Sequence, residues 1–428
     1  MPLVTAGRLS DDLLRRLDET LRPVDGLLAG RYAGSDGSRQ PVHTVYVPAD
    51  VAGPSTPSAW GQRALELLAA HAEGPRRLAQ AAGMDHAAVA DAYPLLLAKL
   101  ADQPVEDLRI DLEDGYGTHP DAEEDAAALA AGATLVALPG QPAPPVQAGV
   151  RVRSMDGATR RRGLRSLDLV LAGVVRAVAD GARLPQRFVV TLAKVSVPAQ
   201  VGAFVEACSE LESAYGLPAG WVSVELQIEV PAAVVAADGT AALAAMLGAA
   251  SGRCTGLHFG TYDFTAACGV PAALQSLEHP LADHAKAVMC LAAAGTGVQV
   301  SDGSTNVVPD GERDQVHTAW RLHARLVRRS LERGVPQGWD LHPGHLVTRH
   351  LATFAFYREL APAAVARLRD YVAGASGAGI LDEPATAQAM ATTLTRGIAC
   401  GALDEAEVCA DAGVTPELLA AMAGRRVA

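Results

Sequence analysis

Residues 222–231, VSVELQIEVP, and residues 256–264, GLHFGTYDF, decide both the fold and the chemistry that this sequence predicts. Each segment is an apolar run of strand length, and a carboxylate follows each run, Glu229 in the first and Asp263 in the second. In an α/β barrel, side chains at the carboxyl ends of the parallel strands build the active site. Carboxylates on two consecutive strands can share one hard cation, so we predict that Glu229 and Asp263 bind a divalent metal.

The alternation of strand and helix continues on both sides of these segments. Eight predicted strands span residues 43–49, 107–114, 149–155, 187–195, 222–230, 254–260, 297–303 and 339–343. The predicted helices between and after them include 76–101, 231–249 and 345–360. Eight βα units are typical of an α/β protein with a (β/α)8 TIM barrel. A doubly wound open sheet is the competing fold, but the chain has neither of its phosphate-binding patterns, GxGxxG or GxxxxGKS/T.

Segments outside the eight units predict two helical extensions. Ser10 is a predicted N-cap for an N-terminal helix whose leucines recur at helical spacing and which we expect to end at Pro23. Three segments after residue 360 are also helical in pattern. We therefore predict an N-terminal helix and loop (1–42), a TIM barrel catalytic domain (43–360) and a C-terminal helical extension that forms a lid or arm (361–428).

Composition and charge exclude several classes of protein. Hydrophobic residues make up 49% and charged residues 20% of the chain, which is typical of a folded globular protein. The net charge is −12 and there is no basic stripe with interleaved aromatics, so we expect no nucleic-acid partner. We find no apolar run of membrane-spanning length and no signal peptide, so we expect no membrane partner and a cytoplasmic protein. The six scattered cysteines fit a reducing compartment.

Polar residues also follow the other predicted strands. They are Asp111, Glu113, Asp114, Arg151, Arg153, Lys194, Asp302 and His342. A single Asp after a strand is usually a helix N-cap, but capping does not explain polar residues after nearly every strand. In a barrel these residues would meet at one end, where the carboxyl ends of the strands lie, which we call the mouth. Like charges at an acid-rich mouth repel one another unless a cation compensates them. Mg²⁺, or Mn²⁺ in its place, accepts one or two carboxylates and keeps waters that substrate oxygens can replace.

The order of these motifs resembles the citrate lyase β-chain and malyl-CoA lyase family of the HpcH/HpaI aldolase superfamily, in an enlarged and divergent form. The segments similar to the family's motifs are residues 111–114 for DLED, residues 194–195 for Lys-Val, residues 228–231 for Ile-Glu-x-Pro, residues 259–264 for Phe-Gly-x-x-Asp-Leu, residues 341–343 for Ile-His-Pro and residues 380–384 for Met-Ile-Asp-x-Pro. Together they cover roughly residues 43–400 in the family's order. Arg153 departs from the family, which usually has Asn at this position.

The resemblance implies a Mg²⁺-dependent carbon–carbon lyase that cleaves or forms a bond next to a 2-oxo acid through a metal-stabilised enolate. It implies that Glu229 and Asp263 are the metal ligands and that Asp382 transfers a proton, often from a neighbouring subunit. It also implies a homo-oligomer, either a trimer or a hexamer. The family's early basic residues for acyl-CoA are not clearly present, which leaves the use of a CoA thioester open.

The remaining candidate residues each have an alternative role. Arg151 is predicted to pair with the substrate carboxylate or the developing oxyanion, and is otherwise a structural ion-pair partner of the DLED acids. Glu113 and Asp114 either contact the substrate or hold Arg151 or metal-bound waters. Lys194 is predicted to be an orienting charge rather than a Schiff-base lysine. His342 is predicted to be a hydrogen-bonded packing residue.

Three functions remain open on the sequence alone. The first is the lyase or aldolase, acting on a free or CoA-linked oxo or hydroxy acid. The second is a malate-synthase-like enzyme that condenses acyl-CoA or hydrolyses a thioester. The third is a non-catalytic barrel that binds a metal or metabolite, and the presence of Glu229, Asp263 and Arg151 argues against it.

Overall fold

Eight parallel strands form the centre of the computed structural model, which describes residues 9–35, 37–374 and 383–424. The strands are β1 His43–Pro48, β2 Asp107–Asp111, β3 Gln147–Val152, β4 Phe188–Leu192, β5 Val222–Ile228, β6 Cys254–Phe259, β7 Gln299–Ser301 and β8 Gly338–Asp340. Strands β1 to β7 pair in chain order, and β8 pairs with β1. A bridge from Ser301 to Gln337 brings β7 against the residue before β8 and closes the sheet. The predicted (β/α)8 TIM barrel is confirmed.

Helices cover the outside of the barrel and extend the chain at both ends. They are α1 Asp11–Arg31, α2 Thr56–Ala72, α3 Pro75–Ala82, α4 His86–Asp102, α5 Asp121–Ala137, α6 Arg160–Ala179, α7 Pro198–Ala214, α8 Pro231–Val234, α9 Ala242–Ala249, α10 Thr261–Ala267, α11 Pro280–Ala293, α12 Arg313–Glu332, α13 Pro343–Val372, α14 Pro384–Cys400, α15 Glu405–Ala412 and α16 Pro416–Met422. Parallel neighbours require such crossovers, because the chain must return along the outside of the sheet before the next strand.

Both faces of the barrel strands are buried, one beneath the helices and the other inside the barrel. On β5, Val224, Leu226 and Ile228 belong to the hydrophobic core, whereas Glu225 and Gln227 between them bond to side chains of other strands. Successive side chains of a strand point to opposite faces, so this alternation separates an apolar layer beneath the helices from a polar interior. The interior of this barrel is therefore held by charges and hydrogen bonds in addition to apolar packing.

Arg109 is the centre of that polar interior. Its side chain is fully buried, and its guanidinium donates to Asp107 on the same strand, to Thr191 on β4 at 3.1 Å and to Glu225 on β5 at 2.7 Å. Taking a charge out of water costs several kcal/mol unless opposite charges and hydrogen bonds compensate it. The two carboxylates provide that compensation, and the shared guanidinium ties three strands together.

Helix α1 differs from the prediction at its end. The helix continues through Pro23 to Arg31, so the predicted end at Pro23 is wrong. Proline fixes φ near a helical value and removes one N–H bond, and on a helix with no buried residue the freed carbonyl remains open to water. The helix therefore continues beyond the proline.

Three predicted helices have other boundaries in the structure. The helix predicted at 76–101 is divided at Gly83, whose φ of 66° ends α3. The helix predicted at 231–249 is also divided, because α8 ends after one turn and α9 begins only at Ala242. The helix predicted to end at residue 360 runs on to Val372, since the apolar pattern continues through the first part of the extension.

The C-terminal helices surround an apolar cluster of their own. Helices α14, α15 and α16 pack with the second half of α13 around residues that include Leu368, Leu394 and Leu419. The predicted helical extensions at the two ends of the chain are confirmed. The division at 42 and 360 stays a prediction, and residue 360 lies inside α13. No helix in the described ranges is both long enough and apolar enough to cross a membrane.

We expect Arg109→Met to lower the free energy of unfolding by about 3–5 kcal/mol, because the change leaves Asp107 and Glu225 buried without their shared cation. Chemical denaturation followed by circular dichroism measures the loss. Arg63→Ala removes an exposed pair with Glu66 and is the control, for which we expect little change. A loss in Arg109→Met no larger than in this control would contradict the role given to Arg109.

His350 in α13 is a buried histidine that titrates only on unfolding. Its Nε2–H donates to the carbonyl of Pro104 at 2.9 Å, its Nδ1 has no partner, and burial lowers the pKa of the ring to about 3. In the unfolded chain the pKa is about 6.5. Between these two values the unfolded state binds a proton that the folded state does not bind, so stability falls as the pH falls below 6.5.

We expect His350→Gln to remove this part of the acid sensitivity. Between about pH 7.5 and about pH 5, the unfolding free energy of the wild type should fall by about 2 kcal/mol more than that of the variant. Glutamine keeps a donor for Pro104 and does not titrate, so the comparison isolates the proton. Parallel stability curves for the two proteins would show that His350 does not contribute.

Candidate active site

Lys194, just after β4, lies at the centre of the barrel mouth. Its backbone N–H donates to Glu229 Oε1 at 3.0 Å, and its Nζ lies 2.9 Å from Asp263 Oδ2, 2.5 Å from Asp114 Oδ2 and 2.9 Å from Glu113 Oε1. These carboxylates follow β2, β5 and β6, so one lysine joins the ends of three other strands. Burial lowers the pKa of Lys194, but the surrounding carboxylates, with Glu229 the strongest, raise this pKa by more. The side chain is therefore an ammonium that orients the mouth carboxylates.

The backbone of Lys194 is in an unusual conformation. Its φ is 53°, a left-handed value that costs a residue with a side chain on the order of 1–3 kcal/mol. Such strain persists only where surrounding contacts over-determine the geometry. Here the conformation lets the N–H of Lys194 meet Glu229 while its ammonium meets Asp263.

Glu229 is the buried carboxylate of the mouth, with 3% of its surface exposed. Its Oε2 accepts a hydrogen bond from Gln227 Nε2 at 2.6 Å. A Cβ at position 260 would lie 2.3 Å from the same oxygen, so Gly260 is required for the close approach of the next strand. Burial raises the pKa of Glu229 to about 7, although Lys194 acts in the opposite direction. A cation close to this carboxylate would stabilise its ionised form.

Arg151 is fixed at the end of β3 by Asp111. Its Nε and Nη2 donate to the two oxygens of Asp111 at 2.7 and 2.5 Å, and the ring of Tyr46 lies 4.8 Å from the guanidinium carbon. Its Nη1 donates to Gln227 at 3.3 Å and lies 3.6 Å from Glu113. A bidentate pair fixes the plane of the guanidinium. Arg151 is therefore an ion-pair partner of the first DLED acid and a cation beside the others.

The acidic turn after β2 is shaped by its own carboxylates. Asp111 accepts from the backbone N–H of Glu113 at 3.0 Å and of Gly115 at 2.8 Å, while Glu113 accepts from the N–H of Asp114. This turn holds Glu113 and Asp114 toward Lys194. Burial raises the pKa of Glu113, whereas the hydrogen bond and charge of Lys194 outweigh burial and lower the pKa of Asp114. The two neighbouring acids thus differ in proton affinity.

Other polar residues predicted near the mouth are engaged elsewhere. Arg153 pairs with a glutamate of α5 at 3.0 Å, although Arg151 on the same strand faces the mouth. Asp302 pairs with Lys286 of α11 at 2.9 Å and is buried. His342 caps α13, where its ring accepts the N–H of the second helical residue. Asp382 lies outside the described residues.

Gln227 is a mouth residue that the sequence analysis missed. Its amide nitrogen donates to Glu229, a predicted metal ligand, and its amide oxygen accepts from Arg151, which is predicted to bind the carboxylate of the substrate. Gln227 therefore connects these two residues. The available signal was its position two residues before Glu229 on the same strand, which places both on one face. The sequence analysis also missed Tyr46 on β1, whose ring lies against the guanidinium of Arg151.

The donor set of the mouth fits a divalent cation. Glu113, Asp114 and Asp263 share the single ammonium of Lys194, and Glu229 accepts from the backbone N–H of the same residue, so carboxylates outnumber the cations left to pair with them. Each carboxylate oxygen keeps a second lone pair beyond the hydrogen bonds described. The side chain of Asp263 is 46% exposed and can be reached by an ion that retains waters. Oxygen ligands of this kind suit Mg²⁺ or Mn²⁺.

A second group of potential ligands lies in the core. Within the described part of the chain, His323, Asp340 and His345 place ligand atoms within 4.8 Å of one another. Asp340 already accepts from Arg349 at 2.9 Å and from His43 at 2.9 Å. The guanidinium compensates the charge of this buried carboxylate, so we assign the group to the hydrogen-bonded core and not to the mouth.

The fold is similar to those of known enzymes. A citrate lyase from Burkholderia xenovorans LB400 aligns with 88% of this chain and 97% of its own, with a TM-score of 0.55 and 20% sequence identity. Haloferax volcanii malate synthase aligns in its lead(II) complex with 78% of this chain and 85% of its own, at a TM-score of 0.47 and 15% identity. The magnesium/glyoxylate complex of the same enzyme aligns with 84% of this chain and 88% of its own, at a TM-score of 0.46 and 16% sequence identity. The predicted resemblance to the citrate lyase barrel is confirmed for the fold.

Sequence comparison assigns the chain to a family. A comparison with curated proteins finds no match. A family model matches residues 21–427, which span the N-terminal helix from its middle, the whole barrel and the C-terminal helices. The chain therefore belongs to the family described as Domain of unknown function (DUF6986).

Proposed function

We propose that this protein is a Mg²⁺-dependent carbon–carbon lyase that cleaves or forms a bond next to the keto group of a small 2-oxo acid. The observation that carries the proposal is the convergence of Glu229 and Asp263 on Lys194 at the barrel mouth. Arg151 is held nearby by Asp111 and Gln227. Acids that bind a metal beside a fixed guanidinium are suited to a small anionic substrate.

Glu229 and Asp263 would hold the divalent cation in the proposed enzyme. The bound cation would act as a Lewis acid that stabilises the enolate developing beside the keto oxygen. Gln227 holds one oxygen of Glu229 and the N–H of Lys194 holds the other, so the carboxylate keeps one orientation. Lys194 would share Asp263 with the cation and keep the remaining acids ionised.

Arg151 would bind the carboxylate of the substrate or the developing oxyanion. Asp111 occupies Nε and Nη2, so Nη1 is the edge that remains next to the mouth acids. The guanidinium is buried and already oriented, so little side-chain entropy is lost when the substrate binds. Glu113 and Asp114 would position Arg151 and Lys194 and any waters at the cation.

Asp382 is the group that we propose for proton transfer. It stands two positions before α14 in the chain, and the resemblance to the aldolase superfamily supports this role. We further propose that the enzyme is a homo-oligomer, a trimer or hexamer, in which this residue serves either its own mouth or that of a neighbour. The substrate is a free oxo or hydroxy acid in this proposal, and a CoA thioester is the alternative.

We expect Glu229→Gln and Asp263→Asn to weaken Mg²⁺ binding at least about tenfold each, because each removes one anionic ligand from a site that has few. Isothermal titration with Mg²⁺, and electron paramagnetic resonance with Mn²⁺, measure the affinity. Asp50→Asn is the control, since it removes an exposed acid that follows β1 without any contact to Lys194. Unchanged affinity in both mouth variants would reject this metal site.

We expect turnover of at least one of pyruvate, glyoxylate and oxaloacetate, alone or in pairs, to require Mg²⁺ and Arg151. Arg151→Lys should lower kcat/KM about 100- to 1000-fold, because an ammonium cannot keep the bidentate pair with Asp111 and at the same time place an N–H donor at the substrate oxygens. Product analysis by NMR measures the reaction. Arg153→Lys is the matched control on the same strand and should retain activity, since its partner lies on α5.

The same assay separates the alternatives. Release of free thiol from acetyl-CoA in the presence of glyoxylate would favour the condensing or thioester-hydrolysing enzyme over the lyase. Absence of turnover and of any thermal shift with Mg²⁺ and the complete panel would contradict both enzymes and leave a non-catalytic barrel. Equal activity of Arg151→Lys and the wild type would remove Arg151 from the mechanism.

A further inference from the structure

A cavity of about 360 Å³ lies at the end of the barrel opposite the mouth. It is lined by the residues just before β1, by the start of β7 and by Pro336 before β8, all of which are at the amino ends of strands. Its outer wall is α14. The volume falls in the range of sites for small ligands, which is roughly 300–1,000 Å³. The proposed chemistry does not use this cavity, because the mouth is built at the carboxyl ends of the strands.

The walls of the cavity are joined by close backbone contacts. The N–H of Gly34 donates to the carbonyl of Gly295 at 3.0 Å, and a Cβ at Gly297 would lie 2.6 Å from the carbonyl oxygen of Gly34. A Cβ at Gly34 would in turn lie 3.2 Å from the carbonyl oxygen of Gly424. Gly34, before β1, thus packs against the loop before β7 and against the residues that follow α16, and these segments form one continuous wall of the cavity.

One face of α14 contributes polar side chains to the cavity. Gln388, Thr392 and Arg396 follow one another at intervals of four residues and all line it. Residues at this spacing lie on one side of a helix. The hydroxyl of Thr392 donates to the carbonyl of Gln388, so it is engaged within the helix. Of these three residues, Gln388 and Arg396 therefore keep side-chain donors for a ligand in the cavity.

Arg396 is the charged residue of the cavity wall. No carboxylate occurs among the described residues that line the cavity, and none in the described ranges forms an ion pair with Arg396. This absence contrasts with the rest of the chain, which has a net charge of −12 and pairs most of its buried and half-buried arginines. A half-buried guanidinium without an anion attracts an anionic ligand, and its planar fork matches carboxylate or phosphate oxygens.

We propose that this cavity is a second binding site of the protein, for a small organic anion that carries a carboxylate or a phosphate group. Arg396 binds the anionic group, and Gln388 donates to a neighbouring oxygen of the ligand. The site is independent of the mouth, so it can bind its ligand whether or not the proposed lyase activity is correct. Either a carboxylate or a phosphate group could pair with the guanidinium of Arg396, and the experiment distinguishes between these two groups.

The test uses the full chain without added metal, titrated with inorganic phosphate or with citrate against a chloride background of matched ionic strength. Isothermal titration should detect binding of at least one of the two anions to the wild type at millimolar concentrations. Arg396→Gln should weaken that binding at least about tenfold, because it removes the charge-assisted pair. Phosphate alone would identify a phosphate site, citrate alone a carboxylate site, and both together a general anion site.

Three further variants make the result specific to the cavity. Thr392→Glu places a carboxylate one helical turn before Arg396, which should occupy the guanidinium and abolish anion binding in a chain that retains Arg396. Arg76→Gln and Arg77→Gln make the same change of charge on the exposed surface of α3, and both variants should bind the anion like the wild type. No binding to the wild type, undiminished binding to Arg396→Gln or Thr392→Glu, or equal losses in the two controls would overturn the proposal.

Discussion

Pairing of charges inside the barrel is the constraint on which the rest of the structure depends. An ion buried without a partner is too costly for a fold of marginal stability, so each inward guanidinium needs a carboxylate from a neighbouring strand. Arg109 meets this need with Asp107 and Glu225 in the middle of the barrel. Closer to the mouth, the charge of Arg151 is compensated by Asp111. The interior thus changes gradually from a closed structural network into the open, acid-rich mouth.

The mouth retains an excess of acid that the paired layers below it do not have. Lys194 faces Glu113, Asp114 and Asp263, Arg151 is already paired with Asp111, and Glu229 is buried with a raised pKa even though Lys194 is beside it. A site of this charge favours a divalent cation and an anionic substrate that binds together with it. At the opposite end of the barrel the balance is reversed, because Arg396 lines a cavity without a carboxylate among its described residues. The mouth is therefore suited to an anion that binds together with a cation, and the opposite cavity to an anion alone.

Sequence reasoning was reliable where local chemistry leaves one solution. The segments that lead to Glu229 and Asp263 are strands in the structure, because apolar side chains at alternate positions pack beneath the helices and the other face lies inside the barrel. It failed at the ends of helices. Gly83 divides a predicted helix because its φ is left-handed, and α1 continues through Pro23 because the carbonyl that the proline frees stays open to water.

The sequence by itself determined the number and order of the βα units, the carboxylates at the strand ends and the acidic character of the mouth. These properties follow from the period of apolar residues and from the positions of charged ones, both of which are local. Only the tertiary structure decided which charges meet: Arg151 faces the mouth while Arg153 pairs with α5, and Gln227 joins Glu229 to Arg151. It also brought Arg396 to a cavity at the far end. The physical reason is that a charge is compensated by its neighbours in space, and barrel closure brings together residues that are far apart in the chain.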